Sequence, residues 1–259
     1  MKLLDASAAK DLSEVAFVLC DLDDTLTLDG ILPAESYRAL EDLGRKGRQV
    51  IIVTGRPAGW CDMIARMWPV AAVVGENGAF YFRYDRQAKR MLREFQRSHD
   101  ERAADQALLA AIFGKIQEKY PHVRLAADQP YRISDYAVDF CEDVAPLPSS
   151  TIDDIVRMFE AEGATAKVSS IHVNAWIGDF SKLQMSLAVL ERFGLDGEEA
   201  RRRVVYAGDS PNDEPMFAHF PLSVGVANVA AFLPQMRFHP RWITRQPGGL
   251  GFAELAALF

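Results

Sequence analysis

Continuous apolar runs alternate with helical patterns along much of this chain. Such runs occur at residues 15–20, 49–53, 70–74 and 204–207. Unbroken runs of this length, bounded by turn residues, are typical of strands buried on both faces of a parallel sheet. Apolar residues at helical spacing lie between them, so the order βαβαβ is predicted from the first run onward. We therefore expect an α/β fold with a doubly wound, mainly parallel sheet.

The pattern changes between residues 83 and 178. Charge density rises there, two amphipathic helices are predicted, and alternating segments replace the continuous apolar runs. The strand–helix alternation resumes after residue 178. We expect a second, α+β domain at residues 83–178, inserted into a core formed by residues 1–82 and 179–259.

Composition narrows the class of protein. The chain has 259 residues, of which 49% are hydrophobic, and a net charge of -7. An acidic chain of this kind is not expected to bind nucleic acid. No run of about 18 apolar residues is present, so no membrane span is expected. The three cysteines are far apart and form no metal-binding pair, which favours a reducing cytoplasmic location.

Carboxylates follow the first apolar run directly. Asp21 and Asp23 are two residues apart, so in an extended segment both side chains project to the same side while Leu22 returns to the core. Two carboxylates at the carboxyl end of a parallel strand would suit a divalent cation such as Mg²⁺. The alternative is a solvated acidic turn after a core strand.

Two further strand ends carry polar residues. Residues 54–57 read Thr-Gly-Arg-Pro, with a hydroxyl and free backbone N–H groups that can hold an anion. Residues 208–213 read Gly-Asp-Ser-Pro-Asn-Asp, which again places acids after a predicted buried strand. Taken singly, each of these is also compatible with an ordinary strand-to-helix turn.

Together these segments resemble the four motifs of the haloacid dehalogenase superfamily. The resemblance rests on the segment from Asp21 to Thr25, on Thr54, on Lys182 and on residues 208–213, in the family's order. An insertion after the third strand is similar to the C2-type cap of Cof-type, subfamily IIB members. The Gly-Glu-Asn-Gly turn at 75–78 is a further motif of this resemblance. Residues 129–136 are weakly similar to sucrose-phosphate phosphatases, and mannosyl-3-phosphoglycerate phosphatases are comparable relatives.

The resemblance implies a Mg²⁺-dependent phosphatase that hydrolyses a small phosphorylated metabolite, such as a sugar phosphate. It implies that Asp21 is the nucleophile that becomes an aspartyl-phosphate, and that Asp23 is the general acid and base. The metal would be held by Asp21, Asp23 through its carbonyl, Asp209 and Asp213. The implied phosphate- and substrate-binding residues are Thr54, Gly55, Arg56, Lys182 and Asn212. Thr54 and Lys182 would also stabilise the transferred phosphoryl group.

The predicted cap strands supply candidates for recognising the rest of the substrate. These are Arg132, Ser134, His172 and Asn174. The alternative is that they form the solvent face of half-buried strands. Asp24 is expected to face solvent and is assigned no role.

Two other functions compete with hydrolysis. Some relatives with this cap are phosphosugar mutases that retain both aspartates, so an isomerase is an alternative. A regulatory phosphate-binding protein is a second alternative, but the joint presence of Asp21, Asp23, Thr54, Lys182 and Asp209 argues against it.

Overall fold

The structure, a computed structural model, describes residues 1–259 and contains two β-sheets. The strands are β1 (Lys2–Leu3), β2 (Phe17–Cys20), β3 (Gln49–Val53), β4 (Ala72–Gly75), β5 (Phe80–Asp85), β6 (Arg90–Phe95), β7 (Arg124–Leu125), β8 (Asp135–Asp139), β9 (Thr165–Val168), β10 (His172–Trp176), β11 (Val204–Gly208), β12 (Leu222–Gly225) and β13 (Trp242–Ile243). The helices are α1 (Ala9–Leu12), α2 (Ala34–Arg45), α3 (Ala58–Met67), α4 (His99–Lys119), α5 (Ser149–Ala161), α6 (Lys182–Arg192), α7 (Gly197–Arg203), α8 (Glu214–His219) and α9 (Gly248–Ala256).

The larger sheet has nine strands in the order β1-β13-β12-β11-β2-β3-β4-β5-β6. Strands β1 to β4 and β11 to β13 pair in parallel, while β5 and β6 are antiparallel to their neighbours. All four residues of β2 are buried, because helices cover both faces of the sheet. The predicted doubly wound α/β sheet is confirmed.

The strand register places the carboxyl ends of β2, β3 and β11, which precede the candidate catalytic residues, side by side. Cys20 of β2 lies beside Ile52 of β3 on one side and Ala207 of β11 on the other. The residues that follow these three strands therefore emerge at the same edge of the sheet. In an open parallel sheet this edge is the usual place for a ligand.

The smaller sheet belongs to the inserted segment. Its four strands are antiparallel in the order β7-β8-β10-β9, and α4 and α5 pack on one face around Val138, Val173 and Ala175. All five residues of β10 are buried, since the other face of this sheet lies over the larger domain. The predicted α+β insert is confirmed as a fold, and we refer to it as the cap.

The start of the cap differs from the prediction. The expected boundary at residue 83 falls inside β5, which pairs with β4 and β6 of the larger sheet. Residues 83–95 therefore continue the larger sheet, and the cap begins with α4. The charged residues that suggested a new domain belong to an exposed edge hairpin. No helix of the chain combines the length and apolar character that a membrane span requires.

Candidate active site

Three aspartates meet at the carboxyl edge of the larger sheet. Asp21 follows β2, whereas Asp209 and Asp213 follow β11. Their carboxylate oxygens lie within 4.8 Å of one another, and the three residues are between 0 and 5% exposed. Buried carboxylates this close repel one another unless a cation lies among them.

Lys182 supplies a cation to this cluster. It is the first residue of α6, whose N-cap Ser181 accepts a hydrogen bond from the backbone N–H of Gln184. Its Nζ donates to Asp21 Oδ1 at 2.7 Å and to Asp213 Oδ1 at 3.1 Å. Nζ also lies 3.4 Å from the side-chain oxygen of Asn212. Asp21, Lys182 and Asp213, which lie far apart in the sequence, therefore meet at one point.

The turn before β5 sets the position of Lys182. Gly78 has a φ of +106°, and a Cβ at this residue would lie 2.1 Å from the carbonyl oxygen of Ser181. Only glycine allows the turn to approach the start of α6 so closely. The Gly-Glu-Asn-Gly turn thus determines where the helix that carries Lys182 begins.

Gly208 has a similar role for Asp213. A Cβ at Gly208 would lie 2.5 Å from Asp213 Oδ2. This oxygen accepts hydrogen bonds from the backbone N–H groups of Asp209 and Ser210 at 3.0 and 3.3 Å. Asp213 Oδ1 accepts from the hydroxyl of Tyr206 at 2.5 Å. Asp213 is therefore held rigidly behind the other two carboxylates.

Protonation within the cluster follows from burial and charge. Burial raises the pKa of Asp21 to about 7, the charges of Asp213 and Asp23 act in the same direction, and Lys182 opposes them. Burial and Asp213 also raise the pKa of Asp209 well above its usual range. The charges of Asp21 and Asp213 raise the pKa of Lys182, although its burial acts in the opposite direction.

The donor set of the cluster fits a hard divalent cation. The cluster contains three buried carboxylates and one ammonium group, which pairs with two of them, so negative charge is in excess. Carboxylate oxygens are the ligands that Mg²⁺ prefers, and a bound metal requires them ionised. The side chain of Asp23 is not part of this group, so its predicted contribution to the metal site is limited to its carbonyl oxygen.

Asp23 is paired with Arg56 instead. Arg56 Nε donates to both carboxylate oxygens of Asp23 at 2.9 and 3.0 Å. The guanidinium stacks over the Trp60 ring at 4.4 Å and also contacts Asp128 and Glu142 of the cap, the latter at 2.5 Å. Arg56 thus connects the predicted acid–base residue to the cap.

Thr54 and Gly55 form the floor beside these residues. The buried Thr54 hydroxyl accepts a hydrogen bond from the backbone N–H of Arg56 at 3.0 Å. A Cβ at Gly55 would lie 3.2 Å from the side-chain amide of Asn77 and 3.5 Å from Asn174 Oδ1. The absence of a side chain at Gly55 leaves its backbone accessible to a phosphoryl group.

The four cap candidates divide into two pairs. His172 and Asn174 line the small space that also contains Asp21, Asp23 and Arg56. The side chains of Arg132 and Ser134 do not line it. The expectation that all four face the substrate is therefore wrong for the second pair.

Arg132 is instead part of a buried ionic network. Its side chain is 0% exposed and donates to Asp128 at 2.9 and 3.1 Å and to Asp135 at 3.0 Å. It also donates to the carbonyl oxygen of Gly55 at 2.9 Å. Arg132 therefore holds the loop at Thr54 and Gly55 from the cap side and does not line the space beside Asp21 and Asp23.

The sequence model of the haloacid dehalogenase-like hydrolase family matches residues 18–111. Over these residues the chain is similar to this family. The match covers β2 to β6 and the start of the cap, including the segments that carry Asp21, Asp23 and Thr54. No curated protein sequence matches the chain significantly.

Solved structures share the fold of this protein over nearly its whole length. A protein from Plasmodium vivax described as a HAD/COF-like hydrolase is 17% identical, with a TM-score of 0.69 over 98% of this chain and 99% of that one. The sucrose-phosphatase of Synechocystis is 13% identical, with a TM-score of 0.64 over 94% and 98%. A subclass IIB sugar phosphatase of the HAD superfamily is 13% identical, with a TM-score of 0.63 over 95% and 100%. At such identities the likeness concerns the fold.

Several residues of this site were not assigned a role in the sequence analysis. Thr25 donates to Asp209 Oδ1 at 3.1 Å, and Asn228 Nδ2 lies 3.4 Å from Asp209 Oδ2. Asp24, expected in solvent, is half-buried with a φ of +54°, and burial raises its pKa while a hydrogen bond from Ser170 of the cap lowers it.

Glu76 is the most unusual of the missed residues. Its buried carboxylate accepts backbone hydrogen bonds from Ala58 at the start of α3 and from three consecutive cap residues, at 2.6 to 3.2 Å. Burial and the charge of Asp135 raise its pKa to about 8, and the backbone donors and Arg132 oppose this. Glu76 thus fastens the cap to the larger domain, a role that no local pattern indicates.

Proposed function

We propose that this protein is a hydrolase that removes the phosphoryl group from a small phosphorylated metabolite, with a sugar phosphate as the expected class. The observation that carries the proposal is the buried Asp21 carboxylate, held 2.7 Å from Lys182 and beside Asp209 and Asp213. The fold shared with structures described as a sucrose-phosphatase and a sugar phosphatase supports the substrate class.

Mg²⁺ would be held by the carboxylates of Asp21 and Asp209 and by the backbone carbonyl oxygen of Asp23. Asp213 would support the ion. The bound ion would balance the carboxylates and polarise the phosphoryl oxygens. Lys182 already has two carboxylate partners and keeps its positive charge, so it can also attract the phosphoryl group to Asp21.

In the first step, a carboxylate oxygen of Asp21 attacks phosphorus, and the bond between phosphorus and the leaving oxygen breaks. Asp23 gives its proton to that oxygen, which departs as an alcohol. Lys182 and the Thr54–Gly55 loop stabilise the negative charge on the transferred group. The protein then carries an aspartyl-phosphate at residue 21.

In the second step, Asp23 accepts a proton from a water molecule, and the water oxygen attacks the phosphorus of the intermediate. The bond between phosphorus and Asp21 breaks, which releases inorganic phosphate and restores both carboxyl groups. Asp23 has the same protonation state at the end of the cycle as at the beginning.

Arg56 has to release Asp23 during this cycle. A carboxylate that accepts two contacts from a guanidinium cannot donate a proton to a leaving group. The space among Asp21, Asp23, Arg56 and His172 measures about 20 Å³, which is room for one water molecule. We therefore propose that substrate binding separates Arg56 from Asp23 and moves the cap.

The test is phosphate release from p-nitrophenyl phosphate with Mg²⁺ present. Asp21→Asn should abolish release because the amide is a poor nucleophile, and EDTA should abolish it in the wild type. Asp29→Asn is the matched control, since Asp29 is exposed and asparagine tolerates its φ of +51°. Undiminished release by Asp21→Asn or in EDTA would refute the mechanism.

A further inference from the structure

The hairpin formed by β5 and β6 is basic, although the protein is acidic. Residues 83–97 contain six basic and two acidic side chains, whereas the whole chain has a net charge of -7. Among the six, only Arg93 and Arg97 form ion pairs with carboxylates. The four without a carboxylate partner are Arg83, Arg86, Lys89 and Arg90. A basic surface on an acidic protein favours a partner of negative charge.

Strand β6 is the outer strand of the nine-stranded sheet and offers a row of free backbone groups. The N–H of Gln96 donates to the carbonyl oxygen of Ala79 at 2.8 Å, in register with the pairing of β5 and β6. Bonded and non-bonded pairs alternate along an antiparallel ladder, so the N–H and C=O groups of Met91, Arg93 and Phe95 point away from β5. No strand pairs with β6 on that side. An extended peptide can therefore add to the sheet there.

An open groove of about 490 Å³ adjoins this edge. Its wall includes Arg93 and Phe95 of β6, Phe82 of β5 and Tyr131 of the cap. The Tyr131 side chain is 59% exposed, although its Cβ packs closely against Gly59. Arg93 and Phe95 project to the same face of the sheet because they are two residues apart. Alternate side chains of an added strand would project to this face and contact the aromatic surface.

The groove itself has an excess of positive charge. Arg66 and Arg93 share one carboxylate, that of Asp62, at 2.6 and 2.8 Å, and no other acidic residue lines the groove. A second copy of the chain would bring the same basic hairpin to this edge, so like charges oppose the pairing of two copies. The net charge of -7 also opposes binding to an anionic membrane. A separate acidic segment meets neither form of repulsion.

We propose that the free edge of β6 and the adjoining groove dock an extended, net negative segment of another protein. The segment pairs its backbone with Met91, Arg93 and Phe95 and places alternate apolar side chains in the groove. Its carboxylates lie near the unpaired basic residues of the hairpin. No residue of the groove lines the space beside Asp21 and Asp23, so the inference does not depend on the proposed function.

The experiment measures peptide binding by fluorescence anisotropy. The probe is a labelled peptide that alternates glutamate and valine over the length of β6, and its matched control has lysine in place of glutamate. Arg93→Pro and Arg93→Ala both remove the side chain, but only proline also removes the outward N–H. Proline is tolerated on an edge strand where the N–H faces solvent. Arg90→Glu reverses an exposed charge, and circular dichroism verifies that each variant is folded.

We expect the wild type to bind the glutamate peptide, more weakly as the ionic strength rises, and not the lysine peptide. Arg93→Pro should bind about 2- to 12-fold more weakly than Arg93→Ala, the equivalent of one backbone hydrogen bond. Arg90→Glu should weaken binding by about 2- to 10-fold. Failure of the glutamate peptide to bind, equal binding of the two peptides, or equal affinities of the two Arg93 variants would overturn the inference.

Two further measurements distinguish other occupants of this edge. Light scattering after size-exclusion chromatography reports the oligomeric state, and a dimer of the wild type that dissociates in Arg93→Pro would assign the edge to a second copy and overturn the inference. Sedimentation with vesicles of phosphatidylcholine and phosphatidylserine reports membrane binding. Vesicle binding that Arg90→Glu abolishes would assign the surface to lipid and would equally overturn it. A monomer that ignores vesicles and binds the glutamate peptide supports the proposal.

Discussion

Replacing Lys182 by methionine should destabilise the metal-free protein and make its stability depend more strongly on pH. The ammonium group is buried with Asp21 and Asp213 at 2.7 and 3.1 Å, and methionine has a similar length without the charge. Removal of one member of a buried ion pair leaves an uncompensated charge, which typically costs about 3 to 5 kcal/mol. In a protein of this size each kcal/mol corresponds to about 2 to 4 °C, so the melting temperature should fall by roughly 6 to 20 °C.

The pH dependence follows from the position of the Asp21 pKa. Burial raises this pKa to about 7, above the value of 3.8 for a free side chain, so the folded state takes up a proton more readily than the unfolded state. Stability therefore falls as the pH rises from about 4 through about 7. Without Lys182 the folded-state pKa rises further, and the fall continues to higher pH. The loss should be larger at pH 8 than at pH 6, where a proton can neutralise Asp21.

Thermal unfolding in EDTA at pH 6 and pH 8 measures both effects. Lys10→Met is the control, because the exposed Lys10 side chain makes no ion pair. Addition of Mg²⁺ should recover part of the loss, since binding at 100 times the dissociation constant stabilises by about 2.7 kcal/mol. A loss below about 1 kcal/mol at pH 8, or equal losses at the two pH values, would refute the assignment of Lys182 as the counter-ion of the cluster.

Three further outcomes are expected from the same geometry. Glu142→Gln weakens the link between the cap and Arg56. The contacts of Glu142 with His172, at 2.9 Å, and with Arg56 hold the Glu142 pKa at about 2. In urea titrations the variant should therefore lose about 1 kcal/mol above pH 4.5, a value discounted for the partial exposure of Glu142, and the difference should vanish as the pH falls through about 2. A difference that grows toward low pH would contradict this. Gly208→Ala should lower the free energy of unfolding by about 1 to 3 kcal/mol, because the new Cβ would lie 2.5 Å from the Asp213 carboxylate. Calorimetry should also show weaker Mg²⁺ binding to this variant. Gly114→Ala, in an open helical position, should not destabilise the protein, and equal effects of the two substitutions would contradict the prediction. Mg²⁺ should raise the melting temperature of the wild type and release protons in an unbuffered titration, and the absence of both effects would argue against a metal at the aspartate cluster.

The sequence alone was sufficient for the parts of the structure that depend on neighbouring residues. Apolar runs identified β2, β3 and β11, because a strand buried on both faces has no position for a polar side chain. Parallel strands present their carboxyl ends at one edge of a sheet, so Asp21 after β2 and Asp209 after β11 are expected at the same edge. The family resemblance supplied Lys182, which a local pattern would leave as an ordinary surface lysine.

Only the tertiary structure determined which residues the buried charged side chains pair with. Arg56 pairs with Glu142, a residue 86 positions away, and the buried Arg132 points to Gly55 rather than to the substrate space. The edge hairpin β5–β6 remains with the larger sheet although its composition resembles that of the cap. Hydrophobic periodicity is a property of consecutive residues, whereas the pairing of a buried charge depends on distances between segments that only the packed fold brings together.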